Sequence, residues 1–142
     1  MILLDTDHLT ILRYRESAQH ELLVERLNES LDDDVATSVV SVEEQLRGWL
    51  AEIHRCRSIE DQSSAYERLA EQFEFLANWP IIRFDPQATN EFAQSRRARI
   101  RIGTQDLKIA AIALAQEALL LSANLRDFEQ VPGLRVENWL AD

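Results

Sequence analysis

Apolar residues occur in short runs along this chain, and several of the runs stop at a polar or acidic residue. The runs and their endings are Met1–Leu4 before Asp5, Val35–Val40 before Ser41 and the pair Glu43–Glu44, and Leu119–Leu121 before Ser122–Asn124, with Asp127 just beyond. A further acid, Asp106, opens the apolar stretch 107–114. Short apolar or β-branched runs bounded by polar residues are typical of buried strands.

Segments with helical spacing alternate with these runs. The pattern predicts helices near 21–31 and 41–55, a following helix that ends before Pro80, a helix opened by Asp85–Pro86, and a helix over 105–116. It predicts strands over 2–4, 35–40, 81–84 and 118–121, with a small edge strand over 134–136. This alternation indicates an α/β fold of three layers, in which helices flank a short central parallel sheet.

Two features bear on the organisation of the chain. The helical arm over 41–79 is long for one crossover, so we expect a projecting helical hairpin that offers a surface for partners or for dimerisation. Three glycines and three prolines leave little room for linkers, which predicts one domain over residues 1–142.

Composition limits the kinds of bond, metal site and partner that this chain can have. A single cysteine excludes an intrachain disulfide, and three scattered histidines without a Cys/His spacing motif argue against zinc. The apolar runs are too short to span a membrane, and Met1–Leu4 has no basic flank, so we expect a cytoplasmic protein. The formal net charge of −10 disfavours broad coating of nucleic acid but permits a local phosphate site or a basic protein partner.

The acids at the run ends are expected to meet in space, because ligands bind beyond the carboxyl ends of the strands in open parallel sheets. Two carboxylates about 4 Å apart repel by roughly 4 kcal/mol at an effective dielectric constant near 20. A bound Mg²⁺ or Mn²⁺ removes that penalty, and both ions favour oxygen ligands.

Each acid also has a purely structural interpretation. Asp5 has the residue type of a helix N-cap, and Ser41 with Glu44 has the spacing of a capping box. Asp106 would interact favourably with a helix dipole, and Asp127 would close a turn. Asp7 and His8 are weaker candidates, and His8 is expected on the surface or in packing rather than as a metal ligand.

Four segments carry a family resemblance. They are Leu3–Asp7, the stretch SVVSVEEQLRG over 38–48, the stretch IGTQDLKIAAIAL over 102–114 and the stretch LSANLRDFEQVPGLRVENW over 121–139. In order and spacing they resemble the PIN-domain ribonucleases, most of all the VapC-type toxins of bacterial toxin–antitoxin pairs. The resemblance implies a PIN-like fold and a Mg²⁺- or Mn²⁺-dependent endoribonuclease that hydrolyses RNA phosphodiesters with a metal-activated water. It also implies a homodimer inhibited by a cognate antitoxin.

The resemblance assigns the site residue by residue. The catalytic, metal-binding acids fall on Asp5, on Glu44 (four residues before Gly48, in preference to Glu43) and on Asp106. The fourth acidic position of many members falls on Asn124, and Asp127 is the nearest carboxylate that would replace it as a metal ligand. Thr6 and Ser122 match small hydroxyl positions that, with Asn124, would order the site.

The chain has one dense basic stretch. Its members are Arg96, Arg97, Arg99 and Arg101, just ahead of Asp106. They would either contact RNA phosphates beside the cleft or form a solvated helix end and loop. Trp49 is expected to pack in a core or partner surface rather than to stack on bases.

Two other functions stay open at this point. The sequence Asp5-Thr6-Asp7 after an apolar strand resembles the opening of haloacid-dehalogenase-like phosphatases, which use an aspartyl nucleophile. However, Leu9 departs from that motif and no later paired acidic motif follows. The other alternative is a non-catalytic PIN-like scaffold that binds a partner through the hairpin, which Asn124 at an acidic position keeps open.

Overall fold

The structure is a computed structural model that describes residues 1–141. Its elements in chain order are β1 (Ile2–Leu4), α1 (Thr6–Arg13), α2 (Ala18–Glu29), β2 (Val35–Ser38), α3 (Val39–Arg55), α4 (Ile59–Leu76), β3 (Ile81–Ile82), α5 (Pro86–Arg97), α6 (Thr104–Ala115), β4 (Leu119–Leu121), α7 (Leu125–Phe128) and β5 (Arg135–Glu137). The predicted alternation of strands and helices is therefore confirmed.

All five strands are parallel and lie in the order β3-β2-β1-β4-β5. Leu4 at the end of β1 is in register with Thr37 of β2 and Leu121 of β4. The residues that follow these three strand positions therefore lie at one edge of the sheet. This register explains how segments more than a hundred residues apart in sequence contribute to one site.

The sheet has an apolar core on each face. On one face Leu3 and Leu120 pack with α6, where Ile109 and Ile112 are fully buried. On the other face Ile2, Leu4 and Leu121 pack against apolar side chains of α1, α2 and α4, among them Leu9, Leu23 and Leu76. Alternate residues of β1 thus face opposite layers, as the pleat of a strand requires. The result is the expected three-layer arrangement.

The junction between β2 and α3 differs from the prediction. The strand ends at Ser38 rather than at Val40, and α3 begins at Val39. Ser38 is the N-cap, because its hydroxyl accepts a 3.0 Å hydrogen bond from the Ser41 amide. The predicted capping box of Ser41 and Glu44 is therefore wrong. Glu44 lies beyond the capped turn, so the cap does not account for its position.

The helical hairpin forms from α3 and α4. Near its base, buried Gln72 of α4 donates to Gln45 of α3 and accepts from Arg13 of α1, so a chain of polar side chains ties the hairpin to α1. In its outer part only Ile53 and Ala65 are buried between residues 46 and 70. Across residues 1–141, none of the helices has the length and apolar character needed to span a membrane.

Some elements differ from the sequence prediction. The helix α1 directly follows Asp5, as the N-cap interpretation of Asp5 requires, but the four-residue helix α7 occupies the segment that the sequence pattern treated as a turn. The strand β3 has two residues rather than four. Asp85 caps α5 and Pro86 is its first residue, which confirms the predicted helix start.

Candidate active site

Asp5 is the most deeply buried acid of the site. It follows β1 directly and is only 6% exposed. Its Oδ1 accepts a 2.7 Å hydrogen bond from the Thr6 amide, so it caps α1, as its structural interpretation proposed. Its Oδ2 accepts a 2.7 Å hydrogen bond from the Ser122 hydroxyl, which comes from the end of β4. The cap uses one oxygen, and Ser122 fixes the direction of the other.

Glu44 reaches the same edge from α3. Its Oε2 accepts a 3.3 Å hydrogen bond from the Thr6 hydroxyl, while its Oε1 is buried without a hydrogen-bond partner. The neighbouring Glu43 points elsewhere, since its carboxylate accepts from Gln105 of α6 at 2.8 Å and from Arg47 at 2.7 Å. A buried carboxylate oxygen without a donor is costly. Glu44 is therefore the member of this pair with a free ligand atom.

Asp106 and Asp127 are bridged by an amide. The Asn124 Nδ2 donates to Oδ2 of Asp106 and to Oδ2 of Asp127, each at 3.1 Å. Asp106 lies in the first turn of α6, whereas Asn124 and Asp127 belong to the start of α7. Asn124 occupies the position where many family members have a fourth acid, and its side-chain amide donates to both neighbouring carboxylates. The arrangement holds Asp127 beside Asp106.

Asp7 and His8 are closer to the site than the sequence suggested. Asp7 accepts a 2.9 Å hydrogen bond from the Ala123 amide and a 2.5 Å hydrogen bond from the ring Nδ1 of His8. His8 is fully buried, in agreement with the packing interpretation. The pattern of apolar runs gave no signal for this pair, because its partners are 115 and more residues away in sequence.

Burial is the largest influence on the pKa of each acid at the site. Burial raises the pKa of Asp5 to about 7, and the charge of Asp7 adds to this while the Ser122 hydrogen bond opposes it. Burial likewise raises the pKa of Glu44 and of Asp106, with further increases from the charges of Asp106 and Asp127 respectively. Burial alone would raise the pKa of Asp7 as well, but the hydrogen bonds from His8 and Ala123 outweigh it, so the pKa of Asp7 is lowered.

These properties fit a divalent cation. Within residues 1–141 no three acidic, histidine or cysteine side chains are arranged closely enough to form a complete ligand set. The donors are nevertheless all oxygens, and Glu44 has an unsatisfied buried oxygen. A cation would stabilise the charged carboxylates, which burial, and to a smaller extent mutual repulsion, disfavours. Hard cations such as Mg²⁺ and Mn²⁺ prefer this type of ligand.

The basic stretch lies at the end of α5 and in the loop to α6. Its four arginines are exposed. The Arg96 guanidinium lies 5.1 Å from the Phe92 ring centroid and 3.5 Å from the hydroxyl of Thr104, two residues before Asp106. Arg99 adopts a left-handed conformation with φ of 59°. The stretch therefore flanks the start of the helix that carries Asp106.

Comparison with protein families gives a match over most of the chain. A family model described as PIN domain matches residues 2–134. The matched region contains every acid described above, together with Thr6, Ser122 and Asn124. It leaves out only the first residue and the last eight.

Curated relatives match part of the chain. Ribonuclease VapC2 of Haemophilus influenzae is 36% identical over 72 residues, which are 47% of this chain and 54% of that protein. The tRNA(fMet)-specific endonuclease VapC of Salmonella typhimurium is 34% identical over 84 residues, which are 56% of this chain and 64% of that protein. The chain thus spans about half to two thirds of the length of these relatives.

Solved structures share the fold over nearly the whole length. The crystal structure of DNA-bound VapBC from Salmonella typhimurium superposes with a TM-score of 0.72 at 22% identity, and the superposition covers 97% of both chains. The structure of VapBC-1 from nontypeable Haemophilus influenzae gives a TM-score of 0.69 at 22% identity and covers 99% of this chain.

Proposed function

This chain belongs to the PIN domain family, and on that premise we propose that it is a Mg²⁺- or Mn²⁺-dependent endoribonuclease, the toxin of a toxin–antitoxin pair. The observation that carries the proposal is the set of hydrogen bonds that tie three acids to neighbouring residues at one sheet edge: Ser122 donates to Asp5, Asn124 donates to Asp106, and Thr6 donates to Glu44. The Oε1 of Glu44 is buried there without a partner. Relatives named as ribonucleases support this substrate class.

In this proposal Asp5, Glu44 and Asp106 hold the metal, with Asp127 as a further carboxylate beside Asp106. The bound ion supplies a water of lowered pKa and neutralises charge on the scissile phosphate. Ser122 fixes one oxygen of Asp5, and Thr6 fixes one oxygen of Glu44. Because burial raises the pKa of Asp5 to about 7, this carboxyl group would release its proton when a cation binds, so metal affinity should rise with pH up to that value.

The arginines of the basic stretch serve the substrate rather than the metal. Because the protein has a formal net charge of −10, binding of RNA requires positively charged side chains close to the site. Arg96, Arg97, Arg99 and Arg101 are exposed beside the start of α6 and would contact phosphates there.

Two protein partners are part of the proposal, a cognate antitoxin and a second copy of the chain. The outer face of α4 exposes Ile59, Tyr66 and Phe73, each more than half exposed and seven residues from the next. Residues at this spacing share one helix face, which provides an apolar stripe for a protein contact. Light scattering of the purified protein tests the dimer, and a monomer at every concentration would contradict it.

The experiment for the proposed activity compares RNA cleavage by the wild type with that of Asp5→Asn and Asp106→Asn. Each variant removes a charge at the site while keeping the side-chain shape, so cleavage should fall by at least about 100-fold. Asp33→Asn, which changes an exposed acid ahead of β2, is the matched control and should cleave as the wild type does. Full activity in both site variants would contradict the assignment.

The phosphatase alternative predicts a different intermediate. It requires a covalent aspartyl-phosphate on Asp5, whereas hydrolysis by water requires none. In the structure both oxygens of Asp7, the second acid of that motif, are engaged by protein donors. The family match and this engagement favour the nuclease.

A further inference from the structure

His8 has an unusual environment for a residue that does only packing. Its ring is fully buried, and both ring nitrogens have polar partners. The backbone amide of Trp139, beyond β5, donates to Nε2 at 3.1 Å. Nε2 therefore carries no proton, and the proton of the neutral ring lies on Nδ1, where it is donated to Oδ1 of Asp7 at 2.5 Å.

Asp7 connects His8 to the loop after β4. Its Oδ1 accepts from the amide and ring of His8, and its Oδ2 accepts from the Ala123 amide at 2.9 Å. With both oxygens used in this way, Asp7 acts as a bridge between α1 and the loop rather than as a spare ligand.

The loop that Asp7 holds carries two residues of the site. Ser122 donates to Asp5, and Asn124 donates to Asp106 and Asp127. Ala123 lies between them and is itself exposed, so its backbone bond to Asp7 fixes the middle of the loop. A displacement of Ala123 would move both neighbours away from the carboxylates that they orient.

We propose that His8 is a positioning residue, which acts through Asp7 to hold the 122–124 loop against Asp5 and Asp106 and is itself oriented by the backbone of Trp139. The proposal deepens the proposed function, on which its catalytic consequence rests. Partners that orient ligands without binding the metal typically change metal affinity by about 10–100-fold when removed.

Two substitutions separate positioning from packing. His8→Asn keeps an N–H donor near the Nδ1 position, toward Asp7, whereas His8→Gln places its amide near the Nε2 position and lacks that donor. Both variants lose the ring volume. We expect His8→Gln to bind Mn²⁺ about 10-fold or more weakly than the wild type, and His8→Asn to recover most of that loss. His54→Gln, on an exposed position of α3, is the matched control and should bind normally.

Amide hydrogen exchange in metal-free protein gives a readout that needs no activity. In His8→Gln the Ala123 amide should exchange about 10-fold faster relative to the wild type, while His8→Asn should preserve its protection. Equal losses of Mn²⁺ affinity and equal Ala123 exchange in the two variants would show a packing role only and would overturn the inference. A wild type without Mn²⁺ affinity or cleavage would instead overturn the proposed function, and Ala123 exchange would still decide the role of His8.

Discussion

Asp5 combines two roles that conflict electrostatically. As the N-cap of α1 it accepts from the Thr6 amide, but its burial disfavours the charged form. Burial, the largest influence, raises its pKa to about 7, so the metal-free protein holds Asp5 largely protonated below that pH. The residue type and its position after a strand were readable from the sequence. The burial and the Ser122 contact were not, because they depend on how β4 pairs with β1.

The first prediction at this scale concerns stability and pH. Because the pKa of Asp5 is raised in the folded state, the unfolded chain releases this proton first as the pH rises above about 4. The free energy of unfolding therefore decreases between about pH 4 and pH 7, by at most about 4 kcal/mol from this group. Asp5→Asn lacks this titration.

Urea denaturation in EDTA at pH 4 and pH 8 measures the effect. Relative to the wild type, Asp5→Asn should gain stability on going from the lower to the higher pH. Asp33→Asn serves as the control, since Asp33 is exposed. A stability difference between Asp5→Asn and the wild type that is the same at both pH values would show that Asp5 has no raised pKa.

At the scale of elements, the junction of β2 and α3 determines how Glu44 reaches the site. The chain passes from strand to helix at Ser38 without a loop, so Glu44 lies in the second turn of α3 rather than in the first. The β-branched residues Val39 and Val40 favoured a longer strand in the sequence, but the cap at Ser38 prevails. This shift removes the structural interpretation of Glu44 as part of a capping box.

Ser38→Ala tests this junction. Loss of an N-cap typically costs about 1 kcal/mol, so the midpoint of urea denaturation should decrease without a change in its slope. Ser41→Ala is the comparison variant, because it removes the hydroxyl that accepts from Ser38 at 3.2 Å but keeps the backbone amide that the cap binds, so a smaller loss is expected. If Ser41→Ala were the more destabilising of the two, the helix would be capped at Ser41 after all.

Some elements of this fold can be predicted from its sequence alone, and others cannot. The strands β1 and β4 stand out because they are apolar runs bounded by polar residues, and Asp85–Pro86 marks a helix start through chemistry local to two residues. The helix α7 has only four residues, too few for a helical pattern to appear. The pairing of Asp7 with Ala123 was invisible for another reason, since it depends entirely on contacts between distant parts of the chain.

At the scale of the whole molecule, a strongly acidic protein carries one basic stretch beside its acidic site. If Arg99 and Arg101 contact RNA phosphates, their replacement by Gln should weaken binding of all RNA sequences alike. The slope of log affinity against log salt should decrease by about 0.7 for each lost contact to a single strand.

The binding measurement is best made with Asp106→Asn in every protein, so that the RNA stays intact. Arg135→Gln is a suitable control, because Arg135 lies at the amino end of β5, whereas the acids lie beyond the carboxyl ends of the strands. Unchanged affinity and salt dependence in Arg99→Gln/Arg101→Gln would assign these arginines to a solvated helix end only.

The most direct test of the central claim is the chemistry of the cleaved ends. Purified protein is incubated with RNA in Mg²⁺ and in EDTA, alongside Asp5→Asn, and the termini of the products are identified. Attack by water predicts products with a 5′-phosphate and a 3′-hydroxyl, formed in Mg²⁺ by the wild type and absent in EDTA and with Asp5→Asn. Cleavage that persists in EDTA and leaves a 2′,3′-cyclic phosphate would contradict the account.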